Sequence, residues 1–181
     1  MANFTPSATW TWLTTNGRLA LRYGTAPNEL QLSNALPMQH SAEAGSAFAF
    51  TLEHAELFWT FWHALEPLKY PDSGRFAAVI DAIACVCFIQ LQGQKSWHFQ
   101  TVSTNFRPVA GDIVCLSGQQ CIALALVLEP GEQSSLLLLL DNLISLSGKL
   151  VAGGLPILVL NNRLQPWQPR SLGAANLPKT A

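Results

Sequence analysis

The first part of the chain alternates large apolar and polar residues at every second position. Segment 10–14, Trp-Thr-Trp-Leu-Thr, has this pattern, and in segment 18–23 Leu19, Leu21 and Tyr23 alternate with Arg18, Ala20 and Arg22. Alternation with period two is typical of a half-buried strand. Asn16-Gly17 lies between the two segments and favours a tight turn, because both residues tolerate positive φ. The pattern predicts a β-hairpin, and Leu30 with Leu32 predicts a third short strand.

The middle of the chain changes to apolar residues at three- and four-residue spacing, the period of an α-helix. Thr51 can cap a first helix that runs to about Leu65, where prolines follow. Ser73 can open a second helix that runs to about Leu91. Apolar residues occur on most faces of this second helix, so we expect it to be buried on most sides.

Strand-like runs separated by turns fill the rest of the chain up to Trp167. A short strand is expected at Trp97 to Thr101. The longest run, Cys121 to Leu128, ends at the turn Glu129-Pro-Gly-Glu132, and we expect it to form a hairpin with Ser135 to Leu140. Several short strands with regular turns are typical of a small barrel or sandwich.

These elements predict an α+β protein with two domains. We expect an N-terminal α/β domain, the hairpin with two helices, in residues 1–93. A small C-terminal β-barrel-like domain should follow in residues 94–169. Residues 170–181 include Gly, Ala and Pro and are expected to form a frayed tail.

Composition narrows the classes of function. Apolar residues make up 49% of the 181 residues and charged residues 12%, against about 25% in an average domain. The net charge of -1 argues against nucleic-acid binding, which needs a basic field. The chain shows neither a secretory signal nor a stretch of about 20 apolar residues. We therefore expect a cytoplasmic protein that does not insert into a membrane.

Candidate chemistry is sparse. The sequence has no P-loop, no G-x-S-x-G and no H-E-x-x-H motif. Cys85 and Cys87 are two residues apart on the second predicted helix, so they cannot chelate one ion together. We predict no catalytic residue, no metal and no cofactor, and interpret the four cysteines as small buried apolar residues.

Six tryptophans are the most unusual feature of the composition. They indicate either a tryptophan-rich core or a core that leaves an apolar groove open for a partner, since aromatic residues dominate interface energetics. Phe58, Trp59 and Trp62 lie on the apolar stripe of the first helix. We expect Trp59 to belong to the core, and Trp62, nearer the helix end, to contribute to partner binding.

Several short strings occur in an order that resembles a known family. The rarest is Lys95-Ser-Trp-His-Phe99, and together they cover roughly residues 8 to 167. The others are Trp10-Thr-Trp12, Ala55-Glu-Leu-Phe58, Pro108-Val-Ala-Gly-Asp112, Glu129-Pro-Gly-Glu132, Ser147-Gly148 and Asn161-Asn-Arg-Leu-Gln-Pro166. In this order and spacing the chain resembles the ZapC family of cell-division proteins. It departs from the family's Asn-Asp-Arg pattern at Asn161-Asn-Arg163.

The resemblance implies a cytoplasmic, non-enzymatic factor of the bacterial division ring at mid-cell. Members of the family bind the tubulin-like GTPase FtsZ directly, bundle its polymers and lower its GTP turnover. They have an α/β N-terminal domain and a β-barrel-like C-terminal domain. Whether the chain acts alone or self-associates is left open. The alternative function is a small-molecule-binding protein or enzyme that uses a pocket of the β-domain.

The implied partner carries an acidic surface and an apolar, charged tail, so positive and aromatic residues are the candidate contacts. Arg22 is the leading candidate, since it shares a strand face with Arg18. The full set of predicted partner-binding residues is Arg18, Arg22, Tyr23, Phe58, Trp62, Lys95, Arg107 and Arg163.

Overall fold

The fold is that of a computed structural model of the chain. It describes residues 4–15, 18–24, 28–32, 46–89, 99–103, 105–119 and 121–169. Lys95 lies outside these residues, as do the tail 170–181 and the predicted domain boundary near residue 93.

The N-terminal domain contains a four-stranded antiparallel sheet with the order β3-β2-β1-β4. Its strands are β1 (Thr11–Thr15), β2 (Arg18–Tyr23), β3 (Asn28–Gln31) and β4 (Ala47–Ala49). The predicted hairpin and third strand are confirmed, with Trp12 opposite Leu21 in the register. β4 was not predicted, because its Ala-Phe-Ala sequence has no alternation of apolar and polar side chains.

Two α-helices follow, α1 (Leu52–Ala64) and α2 (Asp72–Phe88), joined through a short 3-10 helix at Glu66–Leu68. Thr51 caps α1 as predicted, and its side chain accepts a hydrogen bond from the His54 backbone N–H. α2 ends at Phe88, three residues before the predicted end, because the next residue is extended. Most of its middle turns are buried, which confirms the prediction from its apolar faces.

The C-terminal domain is built from short antiparallel strands. They are β5 (Ile113–Ser117), β6 (Ile122–Glu129), β7 (Ser134–Leu139), β8 (Leu143–Ile144), β9 (Leu150–Val151), β10 (Pro156–Leu160) and β11 (Gln165–Pro166). The five-stranded sheet has the order β10-β7-β6-β5-β11, and β8 pairs with β9. The predicted hairpin is the β6–β7 pair.

The α+β class is confirmed, with two qualifications in the C-terminal domain. Among the described strands the larger sheet is open at β10 and β11, so "barrel-like" describes the domain only loosely. Of the strand expected at Trp97 to Thr101, the structure describes residues 99–101, and these three residues are not in a strand.

β6 and β7 join the C-terminal strands to the helices, because both faces of these two strands are buried. Leu126 and Leu138 belong to the core that also contains α1, α2 and the inner face of the N-terminal sheet. Their neighbours Val127 and Leu137 belong to a second core inside the C-terminal domain. The helices are therefore held between the two sheets. In the described part of the chain, no helix is long and apolar enough to cross a membrane.

Candidate functional site

Arg18 and Arg22 lie on the face of β2 that points away from the helices. Both arginine side chains are exposed, while Leu19 and Leu21, which lie between them in sequence, are buried on the other face of the strand. The two arginines share one face of the strand, as predicted, but this face is only partly open, because Ala20 lies on it between them and is buried. The strand register places Glu29 directly opposite Arg22, whereas Thr15 is opposite Arg18. Cross-strand neighbours of opposite charge attract one another, so Arg18 is the less compensated of the two cations.

Tyr23 points to the opposite face of the same strand. Its ring lies 4.8 Å from that of Phe76 and 6.1 Å from that of Trp10, measured between centroids. It is partly buried against the N-terminal core. Tyr23 is therefore separated from the arginine face by the thickness of the sheet.

Phe58 was expected to contact a partner, and the structure corrects this. Its side chain is fully buried between α1 and the sheet, with its ring 5.8 Å from that of Trp10. Phe61 is also fully buried. These two residues form the centre of the buried stripe of α1, so Phe58 stabilises the fold and is not available to a partner.

The prediction that Trp59 belongs to the core is wrong, and Trp62 is the more buried of the two side chains. Trp59 is 40% exposed and stacks at 24° on His63, one turn further along the helix. Trp62 is partly buried and stacks at 13° on Phe58. Its outer surface is covered by the guanidinium of Arg75, 4.2 Å from the ring centroid. Trp62 is thus a packing residue, and Trp59 is the aromatic that faces outward.

Arg75 joins the two helices and was missed by the sequence analysis. Its Nε donates a hydrogen bond of 2.8 Å to the backbone carbonyl of Trp62, and a terminal guanidinium nitrogen donates to the same oxygen. This carbonyl belongs to the last turn of α1, where carbonyl groups lack partners inside the helix. Glu66 lies 4.0 Å from the guanidinium and forms with it the one ion pair among the described residues.

The remaining predicted cations lie in the C-terminal domain. Arg107 is exposed at a cavity of about 710 Å³ that is also lined by Phe106 and by the turn at residues 130–132. Arg163 is partly buried in a 3-10 helix, and its Nε is buried without a hydrogen-bond partner in the described part of the chain. Because Arg18 and Arg22 lie on the N-terminal sheet, the predicted cations do not form a single patch.

His54 has a structural role at the start of α1. Its Nδ1 accepts a hydrogen bond of 2.9 Å from the backbone N–H of Thr51 and one of 3.4 Å from Nε1–H of Trp12. An imidazole that accepts at Nδ1 must be neutral there. Burial lowers the pKa of His54 below its ordinary value, and the charge of Glu53 opposes this only in part.

Comparison with known proteins assigns the chain to a family. Residues 92–170 match the family model described as cell-division protein ZapC, C-terminal. Cell division protein ZapC of Proteus mirabilis is 24% identical over 168 residues, which is 92% of each chain. The ZapC protein of Shewanella oneidensis is 31% identical over 126 residues, 68% of this chain and 71% of the relative. The chain belongs to the ZapC family.

Asn161 links two of the sequence segments that resemble ZapC proteins, residues 129–132 and residues 161–166. Its Nδ2 donates a hydrogen bond of 2.8 Å to the carbonyl of Gly131, in the turn after β6. Its Oδ1 accepts one of 2.7 Å from the buried hydroxyl of Ser135. The strings around residues 129–132 and 161–166 therefore hold the end of the β6–β7 hairpin in place. Their part in this ZapC fold is structural.

The C-terminal domain contains a cavity whose lining offers little titratable chemistry. The cavity measures about 750 Å³, and Cys115 is the one titratable residue among the described residues that line it. Burial raises the pKa of the Cys115 thiol, which keeps it protonated. On α2, burial raises the pKa of Cys87 to about 11. No group of three metal-binding side chains occurs within the described ranges.

Proposed function

We propose that this protein is a non-enzymatic cell-division factor that binds FtsZ filaments directly in the cytoplasm, at the division ring. Membership of the ZapC family is the observation that carries the proposal. The near-neutral charge of the chain also fits a protein partner better than a nucleic acid.

Bundling and slower GTP turnover follow from binding to the assembled state. A protein that binds polymer in preference to free subunits shifts the equilibrium towards polymer by mass action. Filaments that are held side by side exchange subunits more slowly, so less GTP is hydrolysed per unit time. The chain itself then needs no catalytic group.

The open face of β2 is the proposed contact for the acidic surface of the filament. Arg18 and Arg22 are exposed there, and Arg18 has no acidic residue directly opposite in the described register. At about 0.15 M salt the screening length is near 8 Å, so only charges at contact range attract strongly. We therefore expect these arginines to affect the association rate and its salt dependence most.

Bundling requires each unit of the protein to hold two filaments. A single chain can do this with two separate surfaces, and a self-associated pair can do it with one surface on each copy. Arg107 is exposed and lies outside the N-terminal sheet that carries Arg18 and Arg22. It is the proposed position of a second contact on the same chain.

Filament pelleting with matched charge variants tests the proposal. The variant with Arg18→Glu and Arg22→Glu should pellet less with GTP-assembled FtsZ. FtsZ samples that contain it should scatter less light and produce phosphate faster than samples that contain the wild-type protein. Lys69→Glu with Lys149→Glu makes the same change in charge at exposed positions elsewhere and should behave as wild type. Equal binding by both double variants would remove the β2 face from the contact.

The alternative function, small-molecule binding or catalysis in the β-domain, has weaker support. The cavity of about 750 Å³ is large enough for a ligand of drug size. However, its described lining offers one protonated thiol and no acid–base pair. A division factor fits the family of the chain better.

A further inference from the structure

The outward face of α1 carries exposed apolar side chains. Leu52 and Trp59 are two turns apart on this face, and both are exposed. Trp59 is held in place from two sides. Its ring meets Phe58 edge-on at 5.3 Å and stacks on His63 at 5.7 Å between centroids. An exposed tryptophan with a fixed orientation loses little side-chain freedom when a partner covers it.

A rigid turn of the C-terminal domain extends this apolar surface. A Cβ added at Gly111 would lie 3.6 Å from Cγ2 of Thr60 and from Cβ of Ala64, so the turn at residues 109–112 packs against α1 at the residues that follow Trp59 and His63 in sequence. Asp112 fixes the turn, because its Oδ2 accepts a 2.8 Å hydrogen bond from the Val109 N–H. The Val109 side chain is left 59% exposed. We call Leu52, Trp59, His63 and Val109 the α1 patch.

The charged residues on the α1 side of the patch are negative, while Arg107 lies two residues before Val109 on its other side. Glu56 is one turn before Trp59, and Glu53 is one turn before Glu56; both are exposed. Within the described ranges, no lysine, arginine or histidine forms an ion pair with either of these glutamates.

We propose that the α1 patch binds a basic partner segment, one that places a large apolar side chain against Trp59 and Val109 and lysines or arginines beside Glu53 and Glu56. Tryptophan is the side chain most enriched among residues that dominate binding energy. The opposite charge on the flanks guides the encounter and selects the partner.

This surface differs in charge from the one proposed for the filament. The open face of β2 presents Arg18 and Arg22 and suits an acidic surface, whereas α1 presents Glu53 and Glu56 beside the patch and suits a basic one. The inference therefore adds a second class of partner and does not depend on FtsZ binding. A protein with both surfaces can connect the filament to another component of the cell.

Binding of two labelled peptides to the full chain tests the inference. One is a short fluorescent peptide whose central Leu-Phe pair is flanked by lysines, and the other has glutamates in place of the lysines. Fluorescence anisotropy should show binding of the lysine peptide that weakens with salt, and no binding of the glutamate peptide. Trp59→Ser should weaken the binding at least about tenfold.

Two further variants separate the patch from general effects. Ile144→Ser removes another large apolar side chain, 46% exposed in the C-terminal domain, and should leave binding unchanged. Glu56→Lys should weaken binding of the lysine peptide and reduce the dependence of that binding on salt. If Trp59→Ser lowers the melting temperature, the Glu56→Lys variant is the one that tests whether the patch binds the peptide.

Three results would overturn the inference. The first is equal affinity for both peptides, and the second is wild-type affinity in Trp59→Ser and Glu56→Lys. The third is a rise in the mass of the wild-type protein with concentration that Trp59→Ser abolishes, because the occupant would then be a second copy of the chain.

Discussion

The contact between Arg75 and Trp62 makes the strongest prediction for stability. Replacing Arg75 with Met keeps most of the aliphatic stem but removes the guanidinium that bonds the last turn of α1. Hydrogen bonds from a charged donor contribute about 1.5–3 kcal/mol, and a partly buried cation–π contact about 0.5–2 kcal/mol. The two terms share one side chain, so we expect Arg75→Met to cost about 2–4 kcal/mol.

The ion pair with Glu66 contributes little to this sum. The Arg75 side chain is 12% exposed, but that of Glu66 is 70% exposed and the two charges are 4.0 Å apart. Pairs of this kind contribute about 0–1 kcal/mol. Glu66→Gln is therefore the matched control and should shift the free energy of unfolding by less than about 0.5 kcal/mol.

Urea unfolding followed by tryptophan fluorescence and circular dichroism measures both variants. A loss of 2–4 kcal/mol corresponds to a melting temperature lower by roughly 4–16 °C for a chain of this size. Arg75→Lys keeps the charge but not the forked donor, and should lie between wild type and Arg75→Met. Wild-type stability in Arg75→Met, or an equal loss in Glu66→Gln, would refute the assignment of the stabilising role to the Trp62 carbonyl and ring.

Three more predictions concern buried and exposed side chains. Burial lowers the pKa of His54 in the folded chain, so as the pH falls the imidazole is protonated in the unfolded chain before it is protonated in the folded one. The neutral imidazole therefore contributes stability that is complete above about pH 6.5 and is lost as the pH falls through the folded-state pKa. A pH series of melting curves should show this loss in wild type and less of it in His54→Asn. Thr14→Val should raise the melting temperature by about 2–4 °C, since the Thr14 hydroxyl is buried without a hydrogen-bond partner among the described residues; a lower value would contradict this. Trp62→Ala should cost about 2–4 kcal/mol in urea unfolding and Trp59→Ser less than about 1 kcal/mol, and the reverse order would restore the roles expected from the sequence.

The elements that follow a clear period could be predicted from the sequence. β1, β2 and the buried stripe of α1 have strong alternation or three- and four-residue spacing, and each was found close to its expected bounds. β4 escaped prediction, because three residues with two alanines show no period and pair only through their backbone. Its place in the sheet is set by β1, a contact between distant parts of the chain.

The candidate site was less predictable, because it depends on how the elements are oriented. Phe58, Trp59 and Trp62 all lie on one broad stripe, and the positions of the sheet and of α2 decide which of them is covered. Arg75 resembles an ordinary surface residue in sequence; its role follows from its distance to a carbonyl on another helix. The α1 patch likewise needs a turn from the second domain beside α1. The charge and the periodicity of one segment do not indicate how that segment is placed against the others.

Direct binding to the filament is the central claim, and pelleting of the purified full chain with FtsZ tests it most directly. The account predicts that the protein pellets with FtsZ in the presence of GTP, stays in the supernatant with GDP, and increases the pelleted fraction of FtsZ while phosphate release slows. Protein that remains in the supernatant under polymerising conditions, with FtsZ assembly and hydrolysis unchanged, would contradict it.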